Sequence, residues 1–144
     1  AFSKQILFNC IPQIGGFGAD GFSTEESKIM NETVKILGAP EVRVSAFAVR
    51  IPALNSHSEA VWVTLKKEVS KGDFVKALVN SEGLAVQDQD FPTALDVSGE
   101  EPVFVGRIHQ DRHNKKRWLM WVVSDNLKKG AALNGLQIVE RIYA

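Results

Sequence analysis

Two runs of strand-forming residues, Val103–Gln110 and Arg117–Ser124, constrain the fold of this chain most strongly. The six-residue polar segment between them predicts an antiparallel hairpin. The second run is apolar on both faces, which carry in alternation Trp118, Met120 and Val122 against Leu119, Trp121 and Val123. A strand of this kind has to be covered on both sides, by helices or by a partner subunit.

The other elements alternate between strand and helix patterns along the chain. Further strands are expected at Gln5–Asn9, Glu41–Ile51, Ala60–Lys67 and Leu84–Gln87. Helices are expected at Thr24–Leu37 after a capping box at Ser23, after a cap at Ser70, and from Asp125 through Ile142. Gln89–Pro102 reads as a surface loop. Adjacent strand pairs with helices between them predict an α+β fold, with a largely antiparallel or mixed sheet flanked by helices.

The helix patterns also predict which side chains face the core. In the first helix the apolar stripe consists of Ile29, Met30, Thr33, Val34 and Leu37, and in the second it consists of Phe74, Ala77 and Leu78. Gly38 is expected to end the first helix.

Composition indicates an ordinary globular domain and excludes several classes of function. Apolar residues make up 44% of the 144 positions, and 17 basic side chains balance 17 acidic ones. A zero net charge does not predict binding to nucleic acid or to anionic membranes, and no apolar run approaches the roughly 20 residues of a membrane span. A single cysteine fits a cytoplasmic location. A first residue other than Met is consistent with a processed, trimmed or excised chain.

Arg50 and His57 form the most suggestive chemical pair. Pro52 is expected to end the strand that carries Arg50 and to leave His57 in a short polar loop. Arginine offers a two-pronged anion site, and histidine exchanges protons near neutral pH. The pair therefore suggests a pocket for a carboxylate substrate that needs proton transfer. The alternative is a surface arginine beside a histidine that hydrogen-bonds in a turn.

Three other candidate sites carry open alternatives. Glu25 and Lys28 share one helical face, so they form either a solvated ion pair or a charged rim that takes an ammonium and an anion. Cys10 has apolar neighbours and no nearby basic residue, so we interpret it as a structural thiol. His109 and His113 lie in a turn that breaks helical register, and no metal site is predicted.

Several motifs, in this order, resemble the bacterial aspartate-semialdehyde dehydrogenases in their C-terminal catalytic and dimerisation portion. These motifs are Asn9-Cys10-Ile11-Pro12-Gln13-Ile14, Thr24-Glu25-Glu26-Ser27-Lys28, Val49-Arg50-Ile51-Pro52, His57-Ser58-Glu59, Val105-Gly106-Arg107-Ile108 and Met120 to Ala132. The resemblance covers essentially the whole chain, and the run from Ser124 to Ala132 is its most specific part. It implies the C-terminal domain fold of the glyceraldehyde-phosphate-dehydrogenase type over residues 1–144.

The resemblance also implies a chemistry of amino-acid biosynthesis that leads to lysine, methionine and threonine. A cysteine attacks aspartate β-semialdehyde, hydride passes to NADP, and phosphate releases β-aspartyl phosphate from the thioester. The implied roles are general acid/base for His57, the substrate carboxylate for Arg50, and phosphate for Lys28. Glu25 is implied to bind the substrate amine or to belong to the charge network of the active site, and Asn126 to lie near the nicotinamide amide. Family members of this kind are expected to form homodimers.

Parts of the family pattern are missing from these residues. The nucleophilic cysteine motif, the substrate-binding glutamine that follows it and the glycine fingerprint of the Rossmann half do not occur, and Cys10 does not match the nucleophile motif. The chain therefore corresponds to the second half of such an enzyme and is expected to be inactive by itself. The alternative is the dimerisation domain of a catalytically silent paralogue.

Overall fold

The computed structural model describes residues 2–144, which divide into two units, residues 2–52 and 53–144. The second unit contains a four-stranded sheet. Its strands are β1 (His57–Thr64), β2 (Leu84–Gln87), β3 (Val103–Gln110) and β4 (Arg117–Ser124). Their order in the sheet is β1-β4-β3-β2, with antiparallel pairing on both sides of β4 and parallel pairing between β2 and β3.

The sheet confirms the α+β fold class and most of the strand predictions in this unit. The bounds of β2, β3 and β4 are those expected from the sequence, and β3 and β4 form the predicted hairpin. The strand predicted at Ala60–Lys67 lies three residues earlier, as β1 (His57–Thr64). Its first residue, His57, pairs in register with Ser124. His57 is therefore the first residue of a strand instead of part of a loop.

Helices cover both faces of β4, as its sequence predicts. On one face, the α2 face, the fully buried Trp118 stacks on Phe74 of α2 (Lys71–Val79), with ring centroids 4.4 Å apart. On the opposite face, the α3 face, Trp121 donates its indole N–H to the carbonyl of Pro92 at 3.0 Å. Pro92 precedes α3 (Ala94–Val97), which lies against β4. Val123, also on the α3 face, is fully buried.

Two expectations about the loops and helices of this unit were wrong. The segment Gln89–Pro102 is not entirely loop, because a capping box between Thr93 and Asp96 closes the single turn of α3. The terminal helix is not continuous either. A π-helical turn, Lys128–Ala132, precedes α4 (Leu133–Tyr143), and Ala131 has non-helical dihedral angles at the break. In α2 the cap at Ser70 and the burial of Phe74 are confirmed, but Ala77 is exposed.

The first unit is built around helix α1 (Thr24–Leu37), whose ends are those predicted. The N–H of Ser23 donates to the Glu26 carboxylate at 2.7 Å, which completes the capping box, and Gly38 ends the helix in the left-handed conformation. The expected inward stripe is wrong in part. Ile29 and Leu37 are 39% and 62% exposed, and the buried residue of the helix is Glu26.

The two strands expected in the first unit do not form. Gln5–Asn9 contains a turn, in which the N–H of Asn9 donates to the carbonyl of Ile6. Along Glu41–Ile51 only Arg50 makes a bridge, to Ile11. A strand needs a neighbour to complete its ladder of hydrogen bonds, and the described residues of this unit supply none along that segment.

Candidate active site

Arg50 lines an open concavity of about 450 Å³ in the first unit. Its backbone exchanges two hydrogen bonds with Ile11, at 2.8 and 2.9 Å, and its guanidinium lies 6.0 Å from the centre of the Phe2 ring. The other lining residues include Ser3, Gln13, Ile14 and Gly15. The arginine is therefore at an isolated bridge and not at the mouth of a strand as expected. Its backbone is fixed while its charged group faces a concave surface.

Glu25 and Lys28 lie in the first turn of α1 and form an ion pair of 3.5 Å. Both side chains are partly exposed to solvent. The backbone N–H of Glu25 donates to the carbonyl of Ile14, a residue that also lines the Arg50 concavity. The predicted i, i+3 pair is therefore present, and the start of α1 is joined to the wall of the concavity.

Glu26 is a buried carboxylate whose full role the sequence did not reveal. It is 5% exposed and accepts the N–H of Ser23 at 2.7 Å and that of Ala48 at 2.8 Å. The hydrogen bond from the Ser23 backbone, followed by that from Ala48, holds the pKa of Glu26 below its usual range against the opposing effect of desolvation. The capping box indicated the first bond. No local pattern indicates the second, which fixes the segment that leads to Arg50.

His57 and Asn126 are brought together in the second unit through the backbone of Ser56. The Asn126 side-chain oxygen accepts the N–H of Ser56 at 3.1 Å, and His57 is the next residue. Ser56 has a φ of 72°, in the left-handed region that non-glycine residues rarely adopt. His57 itself is exposed. The histidine is thus freely accessible at the end of a backbone segment held in an uncommon conformation.

Asp125 is a second buried carboxylate, 3% exposed, at the end of β4. One oxygen accepts the N–H groups of Leu127 and Lys128 in the turn that follows β4. The expected cap of the terminal helix is wrong, because the helical segment begins only at Lys128 and its cap residue, Leu127, makes no side-chain hydrogen bond. The other accepts the Gly99 N–H at 2.8 Å and the Asn55 side-chain amide at 2.9 Å. The Gly99 N–H is the largest of the influences that lower the pKa of Asp125, while desolvation opposes them. The bonds to Gly99 and Asn55 were not expected.

Cys10 does not have the packed environment that a structural thiol requires. Its side chain is exposed, and so is its neighbour Phe8, at 92%. The interpretation as a structural thiol was therefore wrong, because apolar neighbours in sequence do not bury a thiol: the adjacent Ile11 is only 4% exposed, yet Cys10 lies at the surface. Within the described residues, no group of three or more His, Cys, Asp or Glu could hold a metal ion, and no helix has the length and apolar character to cross a membrane.

The lowered pKa of Glu26 predicts a loss of stability in acid. A carboxylate with a lowered folded-state pKa stabilises the fold above its unfolded pKa, and this stabilisation is lost as the pH falls through the folded value. We expect the unfolding midpoint temperature to fall below about pH 4, and to fall less steeply in Glu26→Gln. Thermal unfolding between pH 7 and pH 3 measures both slopes. Glu32→Gln, at an exposed position of the same helix, should follow the parent curve; parallel curves for Glu26→Gln and the parent would contradict the prediction.

Comparison with known proteins gives a consistent result. Residues 1–129 match the family model described as "Semialdehyde dehydrogenase, dimerisation domain". The aspartate-semialdehyde dehydrogenase of Aquifex aeolicus is 41% identical over 143 residues, covering 96% of this chain and 42% of that protein. The enzyme of Bacillus subtilis is also 41% identical over 143 residues, with 96% and 41% covered. The chain therefore spans less than half the length of these curated relatives.

Solved structures agree with the sequence comparison. Aspartate semialdehyde dehydrogenase II from Vibrio cholerae, complexed with ASA, superimposes with a TM-score of 0.94 at 39% identity, covering 99% of this chain and 44% of that one. The Candida albicans enzyme, solved with NADP, superimposes with a TM-score of 0.76 at 28% identity, covering 94% and 44%. This likeness confirms the expected glyceraldehyde-phosphate-dehydrogenase-like C-terminal fold.

Proposed function

Because the chain belongs to the semialdehyde dehydrogenase family and matches its dimerisation domain, we propose that residues 1–144 are the C-terminal catalytic and dimerisation domain of an NADP-dependent aspartate-semialdehyde dehydrogenase. The proposed reaction interconverts aspartate β-semialdehyde and phosphate with β-aspartyl phosphate through an enzyme thioester. The nucleophilic cysteine and the Rossmann half would belong to the rest of the protein. The 144 residues alone are therefore expected to be inactive.

The observation that carries this proposal is the placement of the Arg50 guanidinium at a concave surface. Both the N–H and the carbonyl of Arg50 are hydrogen-bonded to the backbone of Ile11, so the main chain that carries the guanidinium is fixed. A planar fork of this kind matches a carboxylate through two parallel hydrogen bonds. We assign Arg50 to the substrate carboxylate, and this role also explains why the residue is an arginine and not a lysine.

Glu25 and Lys28 suit the two remaining charges of the substrates. Each keeps part of its side chain exposed while the two pair at 3.5 Å, so each can exchange its partner for a ligand at small cost. We assign Glu25 to the substrate amine and Lys28 to phosphate. The hydrogen bond from Glu25 to the backbone of Ile14 supports their association with the concavity that Arg50 lines.

His57 is the proposed general acid/base. Its side chain is exposed at the start of β1, where it can receive the proton released when a thiol adduct of the aldehyde becomes a thioester carbonyl. NADP, when bound, would supply the acceptor for the hydride lost in the same change. Histidine suits the proton transfer because its ordinary pKa lies close to neutral.

Asn126 fits a position near the nicotinamide carboxamide. Its side-chain oxygen is already occupied by the N–H of Ser56. Among the described residues its side-chain NH₂ makes no hydrogen bond, so that group can donate to a carboxamide oxygen. The residue can therefore contact the cofactor without releasing the backbone next to His57.

Replacement of His57 tests the reaction directly. In the full-length protein, His57→Ala should lower the rate on the order of 10²–10⁴-fold, the usual share of a general acid/base. The assay follows NADPH formation from aspartate β-semialdehyde and phosphate. His113→Ala, at an exposed turn position, is the matched control and should retain activity. A nearly unchanged rate in His57→Ala would rule out the assigned role, and a parent inactive with these substrates would favour a silent paralogue.

Substitutions of Arg50 and of Lys28 should impair the use of different substrates. Arg50→Lys should reduce kcat/KM for the semialdehyde by an amount that corresponds to a loss of about 1.5–3 kcal/mol of transition-state stabilisation, since lysine cannot reproduce the two-pronged contact. Lys28→Ala should mainly raise the KM for phosphate, and Lys28→Arg should restore part of it, because either cation can face a tetrahedral anion. Separate titrations of the two substrates distinguish these effects. A shift of only the phosphate curve in Arg50→Lys would show that the roles are exchanged.

A second candidate function is dimerisation, favoured by the exposed apolar part of the α3 face. Trp62 of the edge strand β1 is 59% exposed and pairs in register with Leu119 on this face. Exposed aromatic side chains on a sheet typically mark an interface. We propose that this face forms the contact in a homodimer, whatever the catalytic state of the protein.

Sedimentation at micromolar concentration tests the interface. We expect a dimer for the parent and a shift toward monomer in Trp62→Glu, because a charge would be buried against an apolar surface. Val79→Glu is the matched control, since Val79 is comparably exposed, at 58%, but lies on α2, which covers the other face. A clean monomer for the parent would remove the interface and leave the proposed catalytic roles unaffected.

A further inference from the structure

Asp125 makes more hydrogen bonds than its local turn requires. The turn uses one carboxylate oxygen, which accepts the N–H groups of Leu127 and Lys128 at 2.8 and 3.3 Å. The second oxygen accepts from Gly99 and from Asn55, residues 26 and 70 positions away in sequence. All four donors are uncharged amides, so among the residues that the structure describes it is directed hydrogen bonds, and not an ion pair, that stabilise the buried carboxylate.

The bond to Asn55 reaches the backbone that carries His57. Asn55 is two residues before the histidine, and its NH₂ group donates to Asp125 at 2.9 Å and to the hydroxyl of Ser98 at 3.0 Å. The next residue, Ser56, holds its left-handed conformation with its N–H bound to Asn126. Two consecutive residues at the end of β4 therefore hold the two consecutive residues that precede the histidine.

We propose that Asp125 is a positioning residue for His57, acting through the side chain of Asn55 and the backbone of residues 55 and 56. The proposal rests on the general acid/base role assigned to His57 above. An uncommon backbone conformation persists only where the surroundings over-determine it, and here the surroundings are the Asp125–Asn55 and Asn126–Ser56 bonds. Misplacement of a catalytic group by about 1 Å can cost on the order of 100-fold in rate, so the fixed geometry has a direct catalytic use.

The alternative is that Asp125 only stabilises the fold through its bonds to Gly99, Leu127 and Lys128. Asn55→Ala separates the two roles, because it removes the hydrogen bond between Asp125 and the segment that precedes His57 and leaves those three backbone bonds in place. Ser98→Ala is the matched control, since it removes the other hydrogen bond of the same Asn55 NH₂ group. Asp125→Asn is a less selective variant, because it disturbs the turn at Leu127 and Lys128 together with the bond to Asn55.

The experiment measures kcat, KM and thermal unfolding for Asn55→Ala and Ser98→Ala in the full-length protein, each also in a His57→Ala background. We expect Asn55→Ala to lower kcat roughly 10- to 100-fold, with KM for both substrates within about threefold of the parent. Ser98→Ala should stay near the parent rate. In the His57→Ala background, Asn55→Ala should change the rate by less than about twofold, because a residue that acts only through His57 has nothing left to position.

Three outcomes would overturn the proposal. A full additional loss from Asn55→Ala in the His57→Ala background would show an effect independent of the histidine. Equal losses in Asn55→Ala and Ser98→Ala would remove the route through Asp125. In both of these cases the assigned role of His57 survives. An unchanged rate in His57→Ala alone would overturn the proposed function, and this positioning role with it.

Discussion

The stacking of Trp118 on Phe74 is the contact on which the second unit depends. The two rings lie 4.4 Å apart and 7° from parallel, and Trp118 is completely buried. Because Trp118 belongs to β4, which pairs with β1 on one side and β3 on the other, this contact anchors the strand that sets the position of both neighbours. Asp125 and Asn126 directly follow the last residue of the same strand. The packing of the core therefore also determines where these two polar side chains lie.

The strand predictions succeeded where the structure supplies a partner strand and failed where it does not. β3 and β4 are joined by a short turn, and each shows its pattern in full, so their bounds were predictable to the residue. Glu41–Ile51 has an equally strong β pattern but forms only the bridge between Arg50 and Ile11. A β pattern describes a surface that fits a pleated sheet. It does not state where the partner strand is.

The same limit applies to the candidate site. The pair Glu25 and Lys28 was predictable because both residues lie on one turn of a helix. The Glu26 bond to Ala48 spans 22 residues and the Asp125 bond to Asn55 spans 70, and neither leaves a trace in local spacing. Residue types indicated which chemistry is possible at Arg50 and His57. The supporting carboxylates became visible only when distant segments were placed together.

The pairing of His57 with Ser124 has a consequence for how this domain can vary. Side chains alternate between the faces of a strand, so a slip of one residue between β1 and β4 would move every side chain of β1 to the opposite face. It would bring Trp62 toward the α2 face and Val61 and Val63 toward the α3 face, and would turn His57 over with them. An insertion within β1 would thus remove the histidine from its place and disturb the packing together. Length variation in a connection outside the paired strands would leave the alternation of side chains along β1 unchanged.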